Sequence, residues 1–121
     1  LLAVAGAAGT LARFGLSAGV AALVPARSPL PTLVVNVLGC LAFGLLWSLA
    51  EHHARLPDPA RWLLLTGFLG AFTTFSTFAF DAGRLFSQGH PAAAVGYILA
   101  SNVLGLSAFF AGWWAAGRVG G

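Results

Sequence analysis

Apolar residues run along this chain in four long blocks, separated by short stretches rich in proline and polar groups. The first block extends from Leu1 to about Val24 and is closed by the turn from Pro25 to Pro31. The second covers Thr32 to about Ala50 and ends in a polar segment from Glu51 to Pro59. The third covers residues 61–86, and a turn from Ser87 to Pro91 leads into the fourth, residues 92–116. Each block is long enough to cross a hydrocarbon layer of about 30 Å as a helix. Asp58 followed by Pro59 predicts the start of the third helix, with Asp58 as its cap and Pro59 at its first position. The pattern therefore predicts an all-α membrane protein: one unit over 1–121, with four transmembrane helices and no linker or soluble domain.

The third block departs from the others. Its centre, Gly67 to Phe78, carries two glycines and then Thr73, Thr74, Ser76 and Thr77 interleaved with phenylalanines. Glycine weakens a helix, and clustered hydroxyls compete for backbone hydrogen-bonding groups. This predicts a third helix broken at mid-membrane. Irregular backbone at that depth is tolerated only against protein or along a water-filled path. Interrupted spans of this kind often mark an ion-binding position. A packing helix, with its glycines at close contacts, is the plainer alternative.

Composition reinforces the membrane reading. The chain is 59% hydrophobic and only 7% charged, and it contains no lysine. Mean hydropathy is +0.89. Its formal charge of +3 comes from arginines at 13, 27, 55, 61, 84 and 118, scattered singly, so no nucleic-acid surface is expected. Cys40 is alone, which excludes an intrachain disulfide. No signal peptide is expected, and the lack of methionine suggests that the sequence begins beyond an initiator.

Several polar groups lie deep in the blocks. Arg13 must snorkel to an interface, hold the backbone of a re-entrant segment, or set a positive potential that draws anions. Arginine keeps its proton, so a proton relay is excluded. Asn36 is the sole amide of the second block and either bonds a neighbouring helix or strips water from a passing anion. Tyr97, Ser101 and Gly105 recur at i, i+4 spacing and share a helix face. Four helices bury few such groups, so an oligomer is expected, with Gly39, Gly44, Gly70 and Gly105 permitting close contact.

Together these motifs resemble the CrcB/Fluc family of fluoride channels. The family's first-helix glycines and Arg-Tyr are matched by Gly6, Gly9, Arg13 and Phe14, and its Thr-Leu-x-x-Asn-x-x-Gly runs from Thr32 to Gly39. Its signature Gly-Phe-x-Gly-Gly-x-Thr-Thr-Phe-Ser-Thr-Phe is matched by Gly67–Phe78 at every position but Ala71. Phe14 for tyrosine, Cys40 for a usual serine and Asp81 for a common glutamate are further departures.

The resemblance implies a fluoride-specific channel in the plasma membrane of a prokaryote, lowering cytoplasmic fluoride, and not an enzyme. It implies an antiparallel, dual-topology dimer with a second copy or a paralogous subunit. It also implies a structural sodium ion (Na+) on the carbonyls of Gly70 and Thr73. Phe75 and Phe78 would line the fluoride paths with Asn36, Ser76, Thr77, Tyr97 and Ser101, while Arg13 and Asp81 stand in electrostatic or structural roles.

Chemistry is consistent with those assignments. Fluoride is small and strongly hydrated, so its water must be replaced by donors such as amides, hydroxyls and the positive edges of phenylalanine rings. Neutral donors hold an ion without trapping it. A small multidrug exporter would need a membrane-embedded glutamate, whereas the only acidic residues here are Glu51, Asp58 and Asp81. An intramembrane enzyme is disfavoured because Glu51-His52-His53 lacks metal-site spacing and Cys40 has no nearby histidine. A purely structural subunit is the remaining alternative.

Overall fold

A computed structural model describes residues 1–52 and 57–118. These form helices α1 (Leu2–Ala21), α2 (Leu30–His52), α3 (Asp58–Arg61), a π-helix (Trp62–Leu69), α4 (Gly70–Phe72), α5 (Phe75–Ser87) and α6 (Pro91–Arg118). Helix α3, the π-helix, α4 and α5 follow one another as a single bent span, so four helical spans are long and apolar enough to cross a membrane. The described residues contain no strand.

Local chemistry sets the ends of these elements. Helix α1 stops at Ala21, three residues before the expected Val24, and Arg27 in the following turn is left-handed with φ 63°. The Leu30 N–H bonds Ser28 Oγ at 3.2 Å, and α2 starts there, two residues ahead of Thr32. Proline at the second helical position is tolerated because first-turn N–H groups have no helical partner anyway. At the third span the expected cap moves by one residue. Pro57 occupies the cap position, and Asp58 is already helical with no side-chain capping bond. Asp58 instead lies 3.9 Å from Arg61, one turn on. Helix α5 ends in a Schellman motif: Gly89 N–H bonds Phe86 O, and His90 N–H bonds Leu85 O at 2.9 Å. Gly89 takes φ 80°, the left-handed conformation that this motif places on glycine.

Helix α2 is central. It packs most extensively along α6, and also meets α1, the π-helix, α4 and α5. Val35, Leu65, Leu69 and Phe72 form the buried core, with Ala12, Leu16, Ala42, Phe43, Leu46 and Phe68 packed around it. The α2–α6 contact depends on two glycines. A Cβ on Gly44 would collide with the Phe109 carbonyl, and one on Gly112 with the Leu41 carbonyl. Close backbone approach through small residues is how membrane helices gain packing where lipid removes the hydrophobic drive. Gly39 serves likewise against Thr73 and Phe72. Gly70 makes no such contact within one chain: it is exposed, and a Cβ added there would meet only the Leu65 carbonyl, at 3.8 Å. Large apolar side chains such as Leu11, Phe14, Phe75, Leu99 and Phe110 face outward, as they must in lipid or against another chain.

Candidate functional site

The third span breaks at two residues. Thr73 (φ −84°, ψ 156°) and Thr74 (φ −148°, ψ 121°) are extended between α4 and α5. Each flank of the break is held by a side chain from another helix. Asn36 on α2 donates from Nδ2 to the Thr74 carbonyl at 2.9 Å, and its Oδ1 accepts the Thr74 N–H at 2.8 Å. Arg13 on α1 donates from Nε to the Ala71 carbonyl at 3.2 Å. Of the three readings open to Arg13, the structure shows the one in which it holds backbone. Thr74 Oγ1 then caps α5 by accepting the Thr77 N–H at 3.3 Å, as threonine does at helix N-caps.

These substitutions release particular carbonyls. In an unbroken helix the N–H of residue i bonds the carbonyl of residue i−4. The Thr74 N–H would therefore serve Gly70, and the Thr77 N–H would serve Thr73; they go instead to Asn36 and to Thr74 Oγ1. Gly70 and Thr73 thus lose their helical donors at the point where the chain bends. Backbone oxygens left without donors are of the kind that a hard cation takes as ligands. Among the described residues no cluster of three His, Cys, Asp or Glu side chains could hold a metal ion. The Thr73 hydroxyl turns away from this role and donates to the Leu69 carbonyl at 3.0 Å.

Beside the break lies an open cavity of about 330 Å³. Asn36, Thr73, Thr74, Phe75, Phe78 and Ser101 contribute to its wall, joined by Cys40, Asn102 and Phe109. The lining carries amides, hydroxyls and aromatic rings but no formal charge. Phe75 and Phe78 come together, ring centroids 5.4 Å apart, as their i, i+3 spacing leads one to expect. Phe75 is 79% exposed, so its ring forms the rim rather than the floor. Ser101 Oγ is buried with no hydrogen bond of ordinary geometry, and its neighbour is the Tyr97 hydroxyl.

Ser76, Thr77 and Tyr97 lie outside that lining. Ser76 and Thr77 surround the Thr74 hydroxyl, at 3.4 and 3.1 Å. Tyr97 is buried, packs its ring against Phe78 with centroids 5.2 Å apart and planes tilted by 49°, and donates its hydroxyl proton to Asp81 Oδ2 at 3.4 Å. Asp81 is buried too, and Arg84 lies 3.6 Å from it. Arg84 also donates to the Arg27 carbonyl, tying α5 to the turn between α1 and α2. A buried carboxylate paired and hydrogen-bonded in this way avoids the cost of an isolated charge.

Two contributors escaped sequence reasoning. Thr74 is the hub of the break, as cap, backbone donor and cavity wall together. The signal was present, since a threonine three residues before Thr77 at a helix restart reads as an N-cap. Arg84 gave no comparable signal, because its partner carbonyl is 57 residues away in sequence.

A family model described as CrcB-like protein, Camphor Resistance (CrcB), matches residues 1–113. The chain belongs to this family. Among curated relatives, the protein of Nitratidesulfovibrio vulgaris (strain DSM 19637 / Miyazaki F) is 47% identical over 112 residues, 93% of this chain and 90% of the relative. That of Nitrosococcus oceani is 46% identical, with the same coverage of both chains. That of Paracoccus denitrificans (strain Pd 1222) is 48% identical over 111 residues, 92% of this chain and 87% of the relative. Each is named a fluoride-specific ion channel FluC. CrcB-family membership and these relatives make the chain a channel-type membrane protein rather than an enzyme.

Proposed function

We propose that the chain is the subunit of a fluoride-specific channel through which fluoride leaves the cytoplasm down its gradient, lowering intracellular fluoride and its toxicity. The observation that carries this reading is the cavity at the break, where Asn36, Thr74, Ser101 and two phenylalanine rings meet without a formal charge. Neutral donors suit an anion that must enter and leave quickly. Asn36 spends one amide proton on the Thr74 carbonyl and keeps a second for an anion. The site belongs in a cell membrane, which for a prokaryotic relative is the plasma membrane.

The proposal includes a second copy in antiparallel orientation, or a paralogous subunit. The cavity is open, and Phe75 at its rim and Gly70 at the break are exposed, so the half-site is incomplete in one chain. About a two-fold axis, Gly70 and Thr73 of each copy would bring four carbonyls to one sodium ion. Bound there, the ion supplies positive charge that fixes the two breaks against each other. Within this chain, Asn36 and Arg13 keep those carbonyls free by holding the backbone open.

The test is fluoride efflux from liposomes containing the purified chain alone, followed with a fluoride electrode and run beside chloride. Fluoride release with no chloride release is the expected outcome. Liposomes that hold fluoride as well as protein-free ones would refute the proposal.

A further inference from the structure

We propose that a pocket at the other end of the bent span binds a phospholipid through its phosphate. The pocket, about 210 Å³, lies between α2 and the start of the third span and is lined by Phe43, Trp47, Arg61, Trp62, Leu65 and Thr66. It needs only the membrane location of the chain and is independent of fluoride conduction.

Its parts are ordered by depth. Glu51 and His52 end α2 and are exposed, and Asp58 opens α3, so Arg61 sits at the level where the span leaves water. Trp47 and Trp62 flank it, the residue type that gathers at the headgroup boundary. Phe43 lies one turn deeper than Trp47, about 6 Å along the helix axis. Leu65 is likewise one turn further into the membrane than Arg61. A cation at the mouth of an apolar slot complements an amphiphile with an anionic head and a hydrocarbon tail.

Arg61 is held ready for such a ligand. Its guanidinium donates from Nη2 to the Ala50 carbonyl at 3.2 Å and lies 5.9 Å over the Trp47 ring. That fixes it between two helices. Its acidic neighbour Asp58 is 3.9 Å away, beyond hydrogen-bond reach, with a side chain 84% exposed. A pair this open and this long is weak. Nε is buried without a hydrogen bond among the described residues, while one third of the side chain remains exposed. Arginine offers five N–H donors, and among the described residues the two Nη groups spend only one of their four, on Ala50. Phosphate oxygens accept them bidentately, with bonds stronger than those to neutral acceptors. Basic pockets beside membrane helices recognise lipid headgroups by this chemistry.

The experiment is native mass spectrometry of the intact oligomer, equilibrated in detergent with equal phosphatidylglycerol and phosphatidylcholine. Wild type should retain phosphatidylglycerol preferentially. Arg61→Gln should lose at least about tenfold of that retention, since charge-assisted bonds are removed. Trp62→Leu, at a position 63% exposed and so free of packing demands, should lower retention while keeping Arg61 and the fold. It carries the test if Arg61→Gln does not fold. Equal retention by wild type and both variants would overturn the proposal. So would an equal thermal stabilisation by inorganic phosphate alone, which would make the ligand a free anion. If a second copy covers the pocket instead, Trp62→Cys in a Cys40→Ser background will resist maleimide in the delipidated oligomer, and the lipid assignment falls.

Discussion

Replacing Asn36 by alanine tests the link between the break and the cavity. The side chain makes two hydrogen bonds to Thr74, at 2.9 and 2.8 Å, across 38 residues of sequence. Inside a membrane protein such bonds are worth about 0.6 kcal/mol each on average and up to about 1.7. Losing both therefore costs about 1–3 kcal/mol of stability. The lower part of that range is expected, because the freed Thr74 N–H has an alternative acceptor in the Gly70 carbonyl, four residues back. Taking it would straighten the span and consume one of the two carbonyls that the break exposes. Flux should therefore fall further than stability does. Asn36→Ala should remain folded in detergent, with a modest drop in its unfolding midpoint, yet release fluoride from liposomes at least about tenfold more slowly than wild type. A variant that loses stability in this range while conducting at the wild-type rate would refute the reasoning, since the break would then be unnecessary for the path.

Three further outcomes are expected. Phe75→Ile and Phe78→Ile keep apolar volume but lose the ring edge, so each should lower fluoride flux several-fold with assembly intact; unchanged flux in both, by fluoride electrode, counts against an aromatic role. Thr73→Ser retains both the carbonyl and the hydroxyl that bonds Leu69, so it should change flux little, whereas Gly70→Val should abolish it by crowding the exposed break; full flux and stability in a sodium-free preparation would make the ion dispensable. Termini of the chain expressed alone should label from both sides of the membrane in similar amounts, because Arg55, Arg61 and Arg118 on one side face only Arg27 and Arg84 on the other. Labelling from one side alone would favour an oppositely oriented second protein.

Much of the architecture was legible because lipid leaves the backbone few choices. Four apolar blocks bounded by prolines and polar turns had to be helices, and Gly89 and Pro91 punctuate the last turn as sequence rules require. The π-helical stretch Trp62–Leu69 was not legible. Thr66 is its one polar residue, so no periodicity distinguishes a slightly wider helix from an ordinary one. The bounds of α1 and the cap at Pro57 were missed for a similar reason: composition does not mark where α-helical bonding ends, which past Ala21 tightens to an i−3 bond from Leu23 to Val20. Arg55 and His53 lie outside the described residues, so the reading of the segment after α2 rests on its sequence.

At the site, the residue types were legible but the division of labour was not. Of the hydroxyl residues at Thr73–Thr77, the resemblance put Ser76 and Thr77 on the fluoride path and Thr73 at the sodium site, and their side-chain bonds divide them differently. Thr73 donates back to its own helix, Thr74 restarts the next one, and Ser76 and Thr77 gather about the Thr74 hydroxyl. Such assignments depend on where the helix stops, and that is decided by Asn36 and Arg13 on other helices. A break in the third span is costly unless its carbonyls and amides find partners. Two partners come from α1 and α2, and the remaining oxygens at Gly70 and Thr73 are the ones left over once those bonds are counted. The same polar residues that look expensive in a short apolar chain are therefore what make an interrupted helix stable enough to present unpaired oxygens and a donor-lined cavity side by side.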